Sequence, residues 1–254
     1  MILTNDLNLP LPLFEAIKAD PYSNDGADVS VTGLLKPVQQ WVLEKRHRES
    51  LEVDCADRLW ATYGQMMDIL LERAVKASKR LQERFDIKCR LSTEVLGWKV
   101  SGEFDVLDKD TLTLSDYKFV GSYAAKKALQ GDKGDWEKQL NILRWLCSKN
   151  GTICPTPESL QIVLLLRDHT AKSEVEGLKP VEVIDIPVMP LEEVGAWVEA
   201  RVREFQQALE LEDWQLPDCD DQEKWFGRRC QKYCDVSQHC LQNLNSKFEK
   251  ETAQ

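Results

Sequence analysis

Residues 102–120, GEFDVLDKDTLTLSDYKFV, decide how the fold is read. Polar and apolar residues alternate in Thr111-Leu112-Thr113-Leu114, as along a strand with one buried face, and Lys109-Asp110 supplies a tight turn back to EFDVLD. A hairpin pairing 103–108 with 111–119 follows, and KCRLSTEVLGWKVSG, from Lys88, adds a third strand before it. Asp105 and Asp116 then fall on adjacent strands, and Lys118 shares a face with Asp116 because strand side chains alternate.

Downstream, the pattern predicts helices at 122–130 and 135–149, a buried central strand at 159–167 containing IVLLL, a strand at 180–187 and a helix at 190–211. Upstream, Ser30 and Thr32 can cap a helix over 33–48, with Pro37 in or near its first turn. A long helix is predicted over 54–85, since Leu59, Tyr63, Met66, Met67, Leu70, Leu71 and Ala74 recur at helical spacing. Its other face carries Arg73, Lys76, Arg80 and Arg84, a basic stripe that either faces phosphates or is a solvated surface salted with Glu72 and Glu83. Together these elements predict an α/β (α+β) fold, a mixed central β-sheet flanked by helices.

The 254 residues, 43% of them hydrophobic, are enough for one large domain or one domain with appendages. No run of about 18 apolar residues occurs, and the start MILTNDLNLPLPLF lacks signal-peptide features, so a cytoplasmic protein without membrane contact is expected. The net charge of -10 argues against coating nucleic acid by bulk electrostatics. Yet residues 36–90 hold 12 basic and 9 acidic side chains, which leaves room for a local basic groove on an acidic body. No phosphate-cradling glycine loop supports a nucleotide- or sugar-processing enzyme.

Two neighbouring carboxylates are costly unless a cation neutralises them, and hard oxygen ligands favour Mg²⁺ or Mn²⁺. Such a cation polarises a phosphodiester and activates water, while a nearby lysine orients that water or stabilises the developing charge. An edge hairpin decorated with charge for solubility would show the same spacing.

Gly102-x-x-Asp105 followed by Asp116-Tyr117-Lys118 resembles the core signature of the PD-(D/E)XK nuclease superfamily, and more specifically its RecB-type and lambda-exonuclease-like branch, found in many phages. The resemblance extends over residues 29–240. Gly64-Gln65-Met66-Met67-Asp68 with Glu72 stands where that branch carries Gly-x-x-x-His-x-x-x-Glu. Glu94 stands where an acidic residue often precedes the hairpin, and Gln139 to Leu143, after Trp136, where the branch carries Gln-x-x-x-Tyr. The resemblance implies a restriction-endonuclease-like core and a Mg²⁺- or Mn²⁺-dependent deoxyribonuclease, by preference an exonuclease, in phage-type replication, recombination or repair. On matching positions, Asp105, Asp116 and the Tyr117 carbonyl would bind the metal with Asp68 as a further ligand. Lys118 would serve the attacking water, and Gln139 would contact DNA or the lysine. Glu72 reads more simply as a helical partner of Lys76, and Glu94 as a solvent-facing strand residue. DNA is the implied partner, with a single-strand annealing or binding protein by analogy. Two positions depart from the pattern: Asp68 replaces histidine and Leu143 replaces tyrosine. They keep open a second reading, a catalytically impaired nuclease-fold protein acting as a DNA-binding or protein-interaction module.

LPDCDDQEKWFGRRCQKYCDVSQHC sets Cys219-x10-Cys230-x3-Cys234-x5-Cys240, a credible tetrahedral site for zinc or a 4Fe-4S cluster. Members of the resembled branch that close their domain with an iron-sulfur cluster use a Cys-x2-Cys-x5-Cys run, so the resemblance favours iron-sulfur, with Cys219 or, less favoured, Cys55 as fourth ligand. His239 is a substitute ligand by proximity alone, and Cys55, Cys89, Cys147 and Cys154 otherwise read as buried thiols. The expected organisation is an irregular arm at 1–29, a nuclease core at 30–215, a cysteine-rich metal-binding tail at 216–241 and a flexible C-terminus at 242–254.

Overall fold

A computed structural model describes residues 2–19 and 25–252. In chain order its first elements are β1 (Ile2–Thr4), α1 (Leu11–Lys18), β2 (Val29–Ser30), α2 (Val31–Leu34), α3 (Val38–Arg46) and β3 (Glu52–Asp54). Then come α4 (Leu59–Lys76), α5 (Lys79–Arg84), β4 (Phe85–Val95), β5 (Trp98–Asp108), β6 (Thr113–Val120), α6 (Ser122–Leu129) and α7 (Trp136–Lys149). The chain ends with β7 (Ser159–Leu166), α8 (Ala171–Val175), β8 (Val181–Ile186), α9 (Leu191–Leu209), α10 (Arg228–Lys232) and α11 (Leu241–Thr252). Contacts divide it into two compact units, residues 22–35 with 59–199, and residues 1–21 with 36–58 and 200–254.

The first unit holds a six-stranded mixed sheet in the order β2-β5-β6-β7-β8, with β4 on the other side of β5. The fold class expected from the sequence is therefore the one observed. β4 pairs with β5 along its length, antiparallel, from Phe85↔Asp108 to Val95↔Trp98. The opposite edge of β5 is shared. β6 takes only Val106↔Ser115, Leu107↔Leu114 and Asp108↔Thr113, while β2 runs parallel to Val100 and Ser101. Residues 102–105 lie between those two pairings, and the strands part there.

The core of this unit forms where α7 covers the sheet. Leu143 and Leu146 reach Gly102 so closely that an added Cβ would lie 2.7 Å from Leu143 and 2.6 Å from Val31. Only glycine fits there. Leu143, which departs from the resembled tyrosine, is thus a core residue, 1% exposed. β6 and β7 are parallel, joined by a crossover through α6 and α7, and their mates Ile162 and Leu164 are buried.

Several boundaries differ from the sequence reading. The helix expected over 33–48 is two pieces, α2 capped by the Ser30 side chain and α3 beginning after Pro37. The helix expected over 54–85 breaks after Lys76, because Ser78 accepts the Leu81 N–H and caps α5 as a separate helix. The basic stripe is interrupted accordingly. Lys76 pairs with Glu72, and Arg84 grips both oxygens of Asp108 at 2.9 and 2.6 Å. The two-residue turn at Lys109-Asp110 extends over 109–112, with Leu112 in a left-handed conformation at φ +52°. Its carbonyl is held there by the Glu158 N–H.

In the second unit the arm expected to be irregular supplies β1, parallel to β3, and α1. Prolines at 10 and 12 do not prevent that helix because both fall at its start, where no N–H is required. Trp41 stacks on Phe205 with ring centroids 4.4 Å apart. Arg46 ties the end of α9 to the following turn by donating to the Leu209 and Leu211 carbonyls and pairing with Asp213. The C-terminus expected to be flexible is helical from Leu241 to Thr252.

Candidate active site

Where β5 and β6 part, the Asp105 carboxylate occupies the gap. Its Oδ2 accepts the Tyr117 N–H at 2.9 Å. In an extended strand the N–H and C=O of one residue leave on the same edge, so the Tyr117 carbonyl also borders the opening. Val106↔Ser115 is the last paired position, which makes Asp105 and Asp116 the next residues on their strands.

Asp116 is buried, 4% exposed, and shares its strand face with Lys118. Lys118 Nζ donates to Asp116 Oδ1 at 3.2 Å and lies 2.8 Å from Oδ2, which has this ionic partner but no aligned hydrogen bond. Gln139, in the first turns of α7, joins both groups, with Oε1 accepting from Lys118 at 3.3 Å and Nε2 donating to Asp116 Oδ1 at 3.4 Å. Burial raises the Asp116 carboxyl to about 6; Lys118 opposes the shift and Asp105 adds to it.

A residue to which the sequence reading gives no role at the site organises the other half. Lys88 Nζ lies 3.0 Å from Asp68, 3.0 Å from Glu103 and 3.3 Å from Asp105. Glu103 also pairs with Arg90 at 3.2 Å, its cross-strand partner. Burial alone would depress the Lys88 ammonium, but Asp105, Glu103 and Asp68 reverse that and raise it. Burial raises the Asp68 carboxyl, against the pull of Lys88.

Asp116, Lys118 and Gln139 thus come together, and Asp68 and Asp105 meet on Lys88. As positioned, no group of three or more His, Cys, Asp or Glu among the described residues can hold a metal ion. The donor set nonetheless suits a hard cation: a buried carboxylate with an oxygen that accepts no aligned hydrogen bond stands beside a second carboxylate and a backbone carbonyl. Glu72 is the helical partner of Lys76, and Glu94 is exposed beside the hairpin tip, opposite Lys99.

In the second unit Cys219, Cys230, Cys234 and Cys240 line one cavity of about 20 Å³ together with Gln39 and Gln40. The Cys219 and Cys240 thiols donate to Gln39 Oε1 at 3.6 and 3.3 Å. Burial raises the Cys219 thiol to about 12 and Cys234 to about 11, with neighbouring thiols adding to each shift. Cys55 is not among the lining residues, and its thiol donates instead to Asn5 Oδ1 at 3.2 Å. His239 stacks on His47 at 4.1 Å, and His47 Nε2 lies 3.1 Å from Asp213.

No protein-family model matches the chain, and no curated protein does. Among solved structures, the crystal structure of SSO0001 superposes with a TM-score of 0.54 at 17% identity, covering 91% of this chain and 95% of that one. The likeness is one of fold. A phage related exonuclease from Haemophilus somnus 129PT gives 0.36 at 17% identity, covering 57% of this chain and 69% of that one. A provisionally named exonuclease from Eubacterium rectale gives 0.48 at 12% identity, covering 91% and 93%. These last two fall below the level at which a shared fold is argued from the score. No helix among the described residues is long and apolar enough to cross a membrane.

Lys88 and Glu103 were within reach of the sequence only after the strand register was known. Once Ile87 pairs with Val106 and Cys89 with Phe104, Lys88 must stand opposite Asp105. Glu103, two residues before Asp105, follows from the alternation of β5.

Proposed function

We propose that this chain is a metal-dependent deoxyribonuclease of the PD-(D/E)XK type, by preference an exonuclease. The observation that carries the reading is the buried Asp116 joined to Lys118 and Gln139 beside the strand gap that holds Asp105. Asp105 and Asp116, with the Tyr117 carbonyl, would hold Mg²⁺ or Mn²⁺, and a divalent cation there activates water and neutralises a scissile phosphodiester. Lys118, positioned by Asp116 and Gln139, orients that water and meets the negative charge that develops on the phosphate. Gln139 holds the lysine in place and takes a share of the Asp116 charge. Asp68 is a ligand in reserve, bound to Lys88. DNA is the substrate of this reading, a single-strand annealing or binding protein its partner by analogy.

The four cysteines would hold a structural metal that pins residues 216–240 to α3 through the wall formed by Gln39, Gln40 and Leu43. Four thiols suit zinc or a 4Fe-4S cluster. A cavity with room for about one water-sized body favours a single zinc ion over the cluster that the family resemblance implied.

The second reading, a nuclease-fold protein that binds DNA without cutting it, is favoured by one observation: Lys88 already pairs with Asp68, Glu103 and Asp105, where a cation would otherwise sit. Linear and circular DNA incubated with the protein and Mg²⁺ or Mn²⁺ separates the two. Cleavage that needs the cation and vanishes in Asp116→Ala is expected; none above that control would sink the enzyme reading.

A further inference from the structure

We infer that Lys88 stands in for a second cation, so that this site takes one divalent ion and not two; the inference rests on the nuclease reading above. Lys88 is 21% exposed and has three carboxylates within 3.0 to 3.3 Å, more anionic partners than any other lysine of the cluster. Its backbone is left-handed, φ +50°, although the flanking pairs Ile87↔Val106 and Cys89↔Phe104 are in register. Outside glycine that conformation is strained and uncommon, and such outliers cluster at active sites and ligand clamps, where a group must be aimed. Here the aimed group is the ammonium.

The charges agree with the placement. Asp68, Glu103, Asp105 and Asp116 face Lys88, Arg90 and Lys118, an excess of one negative charge. One divalent ion at Asp105 and Asp116 turns that into an excess of one positive charge, which a phosphodiester then neutralises. A second divalent ion would have to draw its remaining ligands from Asp68 and Glu103. Both of those carboxylates are already 3.0 Å from an ammonium that would repel the incoming ion.

The test counts Mn²⁺ bound by the full chain, from the loss of the free-ion electron paramagnetic resonance signal. Each count is taken as the difference from the same protein carrying Asp105→Asn and Asp116→Asn, which removes ions held elsewhere on an acidic surface. One ion is expected for the wild type and two for Lys88→Met. Lys88→Met combined with Asp68→Asn should return to one. Two ions in the wild type, or one in a folded Lys88→Met, overturn the inference while leaving the nuclease reading in place. The wild-type count decides even where Lys88→Met does not fold. No wild-type ion lost on removing Asp105 and Asp116 overturns the nuclease reading itself, and the inference with it.

Discussion

The acidic cluster gathers four carboxylates and the cysteine cavity four thiols, and the two treat them in opposite ways. In the cluster, Asp68, Glu103, Asp105 and Asp116 are already answered by Lys88, Arg90 and Lys118, at distances between 2.8 and 3.3 Å. In the cavity, burial holds Cys219 and Cys234 as neutral thiols, and two of the four thiols share one acceptor, Gln39. The first arrangement keeps its geometry through ion pairs within the chain. The second has a much weaker hold on its own shape, because thiols are poor hydrogen-bond donors. A cation would therefore be a working part of the first and a structural part of the second.

The largest effect expected from this contrast is at the cysteines. On the proposed zinc reading Cys234→Ser would remove one of four soft ligands, and a structural zinc site contributes on the order of 10 kcal/mol to folding, so loss of one ligand should cost several kcal/mol. Denaturant unfolding of purified protein, with metal content measured on the same sample, checks this. A change below about 1 kcal/mol would mean that the thiols are packed as ordinary side chains.

A smaller effect of opposite sign is expected at Asp116. Its carboxyl, raised to about 6 in the folded chain, has an ordinary value of 3.8. Between those values the folded protein keeps a proton that the unfolded chain has released, so stability falls as pH rises from about 4 to about 6 and stays lower above. Without divalent cations, Asp116→Asn should therefore be more stable than the wild type at pH 8, by about 2 to 3 kcal/mol, and equal to it at pH 4. Thermal unfolding at the two pH values gives the answer, and an equal deficit at both would show that the carboxylate is not held against its preference.

The parts of the molecule legible in the sequence are those fixed by local alternation. β5 and β6 follow from residues 102–120, although the turn between them takes in Thr111 and Leu112 and only Val106–Asp108 pair with Thr113–Ser115; the α6–α7–β7 crossover follows from apolar periods close in sequence. The break at Ala77-Ser78 was missed because apolar spacing runs on through it, although Ser78 carries the cap that divides the helix. Lys88 was missed for a different reason. In KCRLST it is one more polar residue at a strand start, and its meaning depends on a register with Asp105 that no local pattern encodes. Leu143 shows the converse: a departure from a motif that looks like lost chemistry is, in space, the side chain that packs on Gly102.

Whether Asp105 and Asp116 hold the cation while Lys118 serves the water, as proposed, is decided by Lys118→Met. The variant's Mn²⁺ count and its single-turnover cleavage of linear DNA should be measured on one preparation. An unchanged count is expected, with cleavage slowed by at least about 10²-fold, the usual scale for a positioned proton-handling or charge-stabilising group. Cleavage at the wild-type rate with the count unchanged would contradict the proposal.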